Sequence, residues 1–335
     1  MPSLAGQVIV VTGASSGIGL ATARLAARQG ASIVLASRDE PLLRRLAREI
    51  EETGGQALAV RTDVAVEAQV EALVDRAVAR FGRIDAFVNN AGIAAYSTLD
   101  ALPLAEHRRI FETNYWGLVH GSLAAVRHFR SRPGGGRLIN VGSVNSDFAI
   151  PLLSAYSASK HAVKGFTDAL RRELLASDPA ITVTLIKPSG IATGFPQHAR
   201  NHLAEEPRVV PPLYAPEIVA DAILDAVRHP RREIVVGAVG PALAVPLALF
   251  PRAMDRLLAA VVPPLSKSRN PRTRTDNLDA PTGEALVHYA HAPGLPFSPY
   301  TAMQKRPGLT VLLAATAVIG AIASRRRRSR YDPRR

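Results

Sequence analysis

Two residues one helical turn apart, Tyr156 and Lys160, could exchange a proton with a substrate. They lie in the run Tyr-Ser-Ala-Ser-Lys, and a spacing of four places both side chains on one face of a helix. A free tyrosine has a pKa of about 10 and is a poor acid or base at neutral pH. A neighbouring ammonium group lowers that pKa, which predicts a general acid/base for making or breaking an alcohol. A solvated pair without function is the alternative.

A glycine-rich turn near the N-terminus is a candidate cofactor site. The β-branched run 8–11 leads into Thr-Gly-Ala-Ser-Ser-Gly-Ile-Gly at 12–19, and a helical pattern follows over 20–29. Glycines let the backbone approach a ligand, and a helix N-terminus offers N–H groups to an anion. The order strand, turn, helix predicts a phosphate-binding loop, although an ordinary turn is the alternative. Its residues are Gly13, Ser15, Ser16, Gly17, Ile18 and Gly19.

Strand-like and helical segments alternate along most of the chain. Strands are also predicted at 32–36, 57–61, 86–88, 138–141, 182–186 and 233–236, and helices at 40–52, 66–80 and 215–228. Repeated βα units predict an α/β fold, a Rossmann-type doubly wound parallel sheet of about seven strands with helices on both faces. Ligands bind such sheets at the carboxyl ends of the strands. Gly13, Asn90, Ser143 and Pro188 fall at those ends, which predicts one shared site.

The order and spacing of the motifs resemble the short-chain dehydrogenase/reductase family, in its single-domain branch, over residues 5–240. A hydrophobic C-terminal extension follows. Ser189 departs from the family, which usually has glycine after this proline. The resemblance rests on the glycine-rich turn at 12–19, Asp63, Asn-Asn-Ala-Gly at 89–92, Asn114, Ser143, the 156–160 motif and Pro-Ser-Gly-Ile-Ala-Thr at 188–193.

This resemblance implies a role for each of four catalytic residues. Tyr156 would exchange the proton with the substrate oxygen, and Lys160 would lower its pKa and bind the nicotinamide ribose. Ser143 would orient the substrate carbonyl and stabilise charge on its oxygen. Asn114 would position a water molecule that links Lys160 to solvent. The alternatives are that Ser143 caps a turn and that Asn114 caps a helix.

The resemblance also implies a nicotinamide cofactor, which supplies the hydride. Further contacts to it are expected beyond the glycine-rich turn, Tyr156 and Lys160. They come from Asp63, Val64, Asn90, Ala91, Gly92, Pro188, Ile191 and Thr193.

The end of the second strand favours NADP(H) over NAD(H). A dehydrogenase selective for NAD usually has an acidic residue there, which binds the ribose 2′-hydroxyl. Here Arg38 occupies this region, and its guanidinium can form a forked ion pair with a 2′-phosphate. Ser15 or Ser16 could add a hydroxyl contact. Asp39 could instead neutralise Arg38, and a solvated arginine is the other alternative.

Apolar residues beside the predicted site indicate the substrate class. They favour a small apolar ketone, aldehyde or secondary alcohol. His198 and His202 stand at metal-ligand spacing but have no third ligand, so no metal is expected and segment 195–210 is predicted to be a lid. The apolar residues are Phe148, Ile150, Leu152, Leu153 and Phe195.

Five regions are predicted along the chain. Within the region 266–306, Pro, Arg, Asn and Thr are frequent. Within the region 241–265, residues 252–262 are predicted to form an amphipathic helix. That helix would lie at a membrane interface, cover the pocket or contact another subunit. The regions are a NADP-binding catalytic domain at 1–240, an apolar amphipathic segment at 241–265, an irregular connector at 266–306, a candidate membrane segment at 307–324 and an arginine-rich tail at 325–335.

Composition limits the partners. Without cysteine the chain has no disulfides and no thiolate metal sites. Residues 267–335 contain thirteen Lys and Arg and four acidic residues, so they contribute +9 of the net charge of +13. The rest of the chain carries +4. No recognition motif accompanies this basic tail, so no nucleic acid is expected as a partner.

The uncharged run 307–324 is 18 residues long, and a spanning helix needs about 17–25. This length favours association of the C-terminus with a membrane, with the catalytic domain in the cytoplasm and the topology open. The family resemblance allows a homodimer or homotetramer. The alternatives to a hydride-transferring enzyme are a dinucleotide-sensing interaction protein and an epimerase or dehydratase.

Overall fold

A computed structural model describes residues 3–271, 276–288 and 293–305. The strands are β1 (Val8–Thr12), β2 (Ser32–Ser37), β3 (Gln56–Arg61), β4 (Ala86–Asn89), β5 (Ala95–Tyr96), β6 (Gly136–Val141), β7 (Ile181–Pro188), β8 (Arg200–Asn201), β9 (Glu205–Pro207), β10 (Glu233–Val236) and β11 (Lys267–Pro271). The α-helices are α1 (Gly17–Arg28), α2 (Glu40–Glu52), α3 (Glu67–Phe81), α4 (Leu104–Phe111), α5 (Gly117–Arg130), α6 (Ser154–Ser177), α7 (Phe195–His198), α8 (Pro216–Arg228), α9 (Val239–Leu249), α10 (Pro251–Leu265) and α11 (Pro299–Lys305).

Seven parallel strands form the central sheet, in the order β10-β7-β6-β4-β1-β2-β3. From β1 the chain continues outward through β2 to β3 at one edge of the sheet. It then returns to the middle of the sheet at β4 and continues through β6 and β7 to β10 at the other edge. The crevice where this order reverses is the usual ligand site of such sheets. The predicted doubly wound α/β fold is therefore confirmed.

Helices cover both faces because the sheet strands are apolar on both sides. One buried cluster joins the sheet to α1, α2 and α8, and the other joins it to α3, α5 and α6. Helix α2 begins where Asp39 accepts a 3.1 Å hydrogen bond from the Leu42 N–H, with a proline in the first turn. Asp39 is thus a helix cap.

The region 266–306 is not simply an irregular connector, because parts of it pack onto the domain that contains the central sheet. Strand β11 pairs antiparallel with β9, and α11 lies along the edge strand β10. The Gln304 side chain accepts from the Val235 N–H at 3.0 Å and donates to its carbonyl at 2.7 Å. This region has the composition of a linker, but its polar side chains form hydrogen bonds with the backbone N–H and carbonyl groups of an exposed sheet edge.

The predicted membrane segment 307–324 and the arginine-rich tail 325–335 lie outside the described residues. Within the described ranges, none of the helices has the length and apolar character needed to cross a bilayer.

Candidate active site

A cleft of about 560 Å³ lies at the carboxyl ends of the central strands. Most of the predicted site residues line it, and the two that do not are Gly19 and Asn114. The predicted residues that line it are Gly13, Ser15, Ser16, Gly17, Ile18, Arg38, Asp63, Val64, Asn90, Ala91, Gly92, Ser143, Tyr156, Lys160, Pro188, Ile191 and Thr193.

The glycine-rich turn needs its glycines for different reasons. Gly13 and Gly17 have φ of +64° and +51°, a region in which other residues are strained. Gly19 lies behind the turn, and a Cβ on it would stand 2.1 Å from the Gly13 carbonyl oxygen. Gly19 therefore allows α1 to pack closely against the turn. Asn90 ties the turn to β4 by donating from its side chain to the Thr12 carbonyl at 2.9 Å.

Helix α6 brings Tyr156 and Lys160 together inside the cleft. The Lys160 Nζ lies 5.7 Å from the centre of the Tyr156 ring and donates to the Val141 carbonyl at 2.9 Å. Burial raises the pKa of the Tyr156 phenol to about 12, and a hydrogen bond with Ser143 opposes this effect. Burial lowers the pKa of the Lys160 ammonium group to about 8.

The direction of the Tyr156 shift is opposite to the one that the sequence spacing predicts. Spacing along a helix gives the distance between two charges but not the loss of hydration, and here burial outweighs the other effects on the phenol pKa. At neutral pH the phenol is protonated, so it can donate a proton to a substrate oxygen. The hydrogen bond with Ser143 favours loss of this proton, because it lowers the Tyr156 pKa.

Ser143 caps a turn, as one of the two sequence alternatives predicts, and its role toward a substrate carbonyl stays a prediction. It caps the short 3-10 helix Val144–Ser146, because its Oγ accepts from the Asn145 N–H at 3.1 Å. The Ser146 hydroxyl accepts from the Ser143 N–H at 3.2 Å and completes this capping box. The box fixes the Ser143 hydroxyl beside Tyr156.

Asn114 braces the site from behind. It lies in a single turn of π-helix, Glu112–Trp116, and is 1% exposed. Its side chain accepts from the Ile93 N–H at 2.8 Å and donates to the Ile93 carbonyl at 2.9 Å and to the Ser159 hydroxyl at 3.0 Å. It therefore connects the chain after β4 to the helix that carries Tyr156, and its contribution to a water relay stays a prediction.

Arg38 lies in the cleft but contacts a segment that the sequence did not associate with it. Its guanidinium donates to the carbonyls of Asn277 and, at 3.2 Å, Leu278. Burial lowers the pKa of Arg38, while nearby Asp63 opposes that effect. Asp63 itself is paired with Arg109 at 2.9 Å. Burial raises the pKa of the Asp63 carboxyl, but the hydrogen bonds and charges around it outweigh burial and lower it.

Apolar side chains form the other end of the cleft. Phe148, Ile150, Leu153 and Phe195 line it as predicted, and the ring of Phe195 lies 5.4 Å from that of Tyr156. Leu152 packs beside this group with a φ of +69° and does not line the cleft. Helices α9 and α10 supply the facing wall, so the amphipathic helix covers the pocket. Its lining residues are Leu243, Leu257, Leu258, Val261, Val262 and Leu265.

Segment 195–210 is anchored to the domain at several points. It contains α7, β8 and β9, and β8 pairs with β5. His198 and His202 do not share a site, because His198 faces Glu284 at 3.4 Å and His202 faces Glu106 at 2.7 Å. Across residues 3–271, 276–288 and 293–305, no group of three or more His, Cys, Asp or Glu residues could hold a metal ion.

Three polar atoms that belong to cleft-lining residues are buried without a hydrogen-bond partner in the described parts of the chain. They are Thr113 Oγ1, Ser189 Oγ and Asn277 Oδ1. Because an unpaired buried polar group costs about 1–3 kcal/mol, such atoms indicate a polar ligand. Together with the α1 N-terminus, Arg38 and Lys160, these groups fit a molecule with both phosphates and hydroxyls.

Known proteins share this fold and much of this sequence. The family model described as short chain dehydrogenase matches residues 7–204. An uncharacterized oxidoreductase of Bacillus subtilis, YxnA, is 38% identical over 329 residues, which cover 97% of this chain and 92% of that protein. A short chain dehydrogenase/reductase crystal structure from Burkholderia phymatum, in complex with NAD, has a TM-score of 0.66 and 27% identity, covering 82% of this chain and all of that chain.

A crystal structure of a metagenomic short-chain oxidoreductase, in complex with NADP, has a TM-score of 0.59 and 29% identity. It covers 70% of this chain and 98% of the metagenomic chain. The family match spans more than half of the chain, and the B. subtilis relative extends the likeness through nearly all of it. The chain therefore belongs to the short-chain dehydrogenase/reductase family of oxidoreductases.

Proposed function

We propose that the protein is an NADP(H)-dependent oxidoreductase that interconverts an apolar ketone or aldehyde and the corresponding alcohol. One observation carries this proposal: a single cleft joins the glycine-rich turn, Tyr156 with Ser143 and Lys160, and an apolar wall. When bound, the nicotinamide cofactor donates or accepts the hydride.

The residues of the chain bind, orient and move a proton. The glycine-rich turn and the α1 N-terminus would hold phosphate groups, and Lys160 would hold the sugar beside the nicotinamide. In the direction of reduction, the Tyr156 hydroxyl donates its proton to the substrate oxygen while the Ser143 hydroxyl orients that oxygen. In the direction of oxidation, the same phenol accepts the proton. The ammonium group of Lys160 favours the phenolate that is left after donation.

Arg38 supports the choice of NADP(H). It stands at the end of β2 and lines the cleft, and no carboxylate occupies that position. Asp39 does not compete for it, because the Asp39 side chain caps α2. Of the two similar crystal structures one is in complex with NAD and the other with NADP, so the proposed preference of this chain rests on Arg38.

The wall formed by α9 and α10 supports an apolar substrate. Its leucines and valines face the phenylalanines around Tyr156, and an apolar ligand is stabilised by about 25 cal/mol for each Å² that it buries. A charged substrate would lose its hydration against this wall without gaining a partner.

Membrane association is supported by the sequence beyond residue 306. The uncharged run 307–324 followed by arginines would place apolar surface in the bilayer and cations against anionic headgroups. Fractionation of a cell lysate tests this part alone, and recovery of the full chain in the soluble fraction without detergent would contradict it.

The enzyme proposal is tested with the purified full chain, NADPH, NADH and a panel of ketones and aldehydes of increasing apolar area. We expect turnover with NADPH, with kcat/KM rising with apolar area, and a kcat lowered by about 10²–10⁴-fold in Tyr156→Phe. Absence of turnover with every carbonyl, in a protein that binds NADPH, would contradict the enzyme and favour a dinucleotide sensor.

A further inference from the structure

Residues 276–288, here called the strap, lie across the cofactor end of the cleft. Asn277 and Pro281 to Glu284 line the cleft together with the glycine-rich turn. Two backbone hydrogen bonds of 2.8 Å fasten the strap, from the Asn277 N–H to the His198 carbonyl and from the Gly17 N–H to the Leu286 carbonyl. The strap therefore spans from the end of α7 to the start of α1.

The strap is anchored by one buried side chain. Leu278 is 1% exposed and packs in a cluster with Ile93, Leu102, Ile110 and Ala155. Burial of a leucine side chain contributes about 1.5–3 kcal/mol relative to exposure, so this contact holds the strap in place.

A cluster of charges adds a second anchor. Arg200 pairs with two strap carboxylates, Asp276 at 2.6 Å and Asp279 at 2.7 Å, and with Glu106 at 2.7 Å. Arg200 is about three-quarters shielded from solvent, so these pairs are stronger than pairs in open water. The pairs also turn two acidic side chains of the strap toward Arg200.

The contacts of Arg38 connect the strap to cofactor choice. Two guanidinium nitrogens donate to the Asn277 and Leu278 carbonyls, and Arg109 also reaches the Leu278 carbonyl at 3.4 Å. These bonds fix the orientation of the guanidinium without adding a charge, because carbonyls are neutral; Asp63 and Asp279 are the carboxylates that act on its positive charge. Asn277 also contributes a buried Oδ1 for which the described residues supply no donor. A nucleotide amino or hydroxyl group is a donor of the required kind.

We propose that the strap is a wall of the nucleotide-binding site, and that it orients Arg38 and encloses the bound cofactor. The proposal rests on the proposed nicotinamide function. The Leu286 carbonyl of the strap occupies the Gly17 N–H, so phosphate would bind the other N–H groups of the glycine-rich turn. The strap nevertheless leaves a continuous cavity from Arg38 to Tyr156, whereas a strap that displaced the cofactor would fill it. Leu278 and Arg200 are positioning residues, since neither lines the cleft.

The test measures binding of NADPH and NADH to the full chain by fluorescence titration, independently of turnover. Leu278→Ala loosens the apolar anchor, and the double variant Asp276→Asn/Asp279→Asn removes the ion pairs of the strap. We expect each variant to raise the Kd for NADPH by about tenfold, because binding must then also order the strap, which costs free energy. Glu71→Gln, which breaks the exposed pair with Arg127, is the control and should leave the Kd unchanged.

A second readout follows the strap itself. Glu284 has 57% of its side chain exposed, so a glutamate-specific protease can cut there. We expect saturating NADPH to slow this cut in the unaltered protein and to protect the double variant less.

The outcomes separate the two proposals. An unaltered protein that binds neither NADPH nor NADH overturns both the function and the strap. If it binds NADPH while both strap variants keep its Kd, or bind it more tightly, the strap proposal alone is overturned. A tighter Kd would identify the strap as a competitor.

Discussion

Replacement of Ser143 by alanine tests how the phenol of Tyr156 is made reactive. The Ser143 hydroxyl opposes the rise in the Tyr156 pKa that burial causes. A hydrogen bond to a charged group contributes about 1.5–3 kcal/mol, which corresponds to about one to two pKa units. Because the bond favours the phenolate, its loss should raise the Tyr156 pKa by that amount.

The assay is the pH dependence of alcohol oxidation, in which the proposed mechanism has Tyr156 accept the proton. The rate rises with pH up to the pKa of the phenol, so Ser143→Ala should move this limb to higher pH by about one to two units. At a fixed pH below the limb, kcat should fall by about 10–100-fold. Cofactor affinity should stay the same.

Ser146→Ala is the matched control. It removes the other hydrogen bond of the same capping box, the one from the Ser143 N–H, and each serine should contribute about 1 kcal/mol to stability. Both variants should therefore lower Tm by similar amounts, while only Ser143→Ala moves the pH profile. The reasoning is refuted if the two variants share one profile, or if Ser143→Ala keeps the profile of the unaltered protein.

Three further predictions concern the cleft. Tyr156→Phe should lower kcat by about 10²–10⁴-fold and leave the NADPH Kd unchanged, since only the proton-exchanging hydroxyl is lost; unchanged steady-state turnover would contradict this role. Arg38→Asp should shift the ratio of kcat/KM from NADP(H) toward NAD(H), because a carboxylate repels a 2′-phosphate and binds a 2′-hydroxyl, and a constant ratio would exclude Arg38 as the selector. Gly19→Ala should weaken NADPH binding in a titration and lower Tm, since its Cβ would stand 2.1 Å from the Gly13 carbonyl oxygen; Gly165→Ala, whose Cβ meets nothing within 4 Å, is the control.

The fold was predictable because its signals are local. Apolar runs such as 8–11 mark strands, and Asp39 followed by Pro41 marks the start of α2 within a few residues. The candidate catalytic pair was predicted in the same way, since Tyr156 and Lys160 share one helix. The predicted helix at 40–52 has the bounds of α2.

Contacts between distant parts of the chain were not predictable in this way. Arg38 and Leu278 are 240 residues apart, and nothing in the local sequence of either indicates the other. Arg109 was missed as the partner of Asp63 for the same reason. The pKa of Tyr156 depends on burial from several elements, so spacing within α6 predicted the wrong direction.

Helix α11 has a practical consequence for truncated forms of the protein. Its Lys305 pairs with Asp221 on α8, and the Lys305 carbonyl accepts from Arg231 at 2.8 Å. A deletion that began at residue 301 would remove these contacts and also the two hydrogen bonds between Gln304 and Val235, which would leave the backbone of edge strand β10 open to pairing with other chains. Such a fragment would aggregate, and a pellet of aggregate is easily mistaken for a membrane fraction. A shortened protein meant to isolate the role of the last residues should therefore keep Lys305.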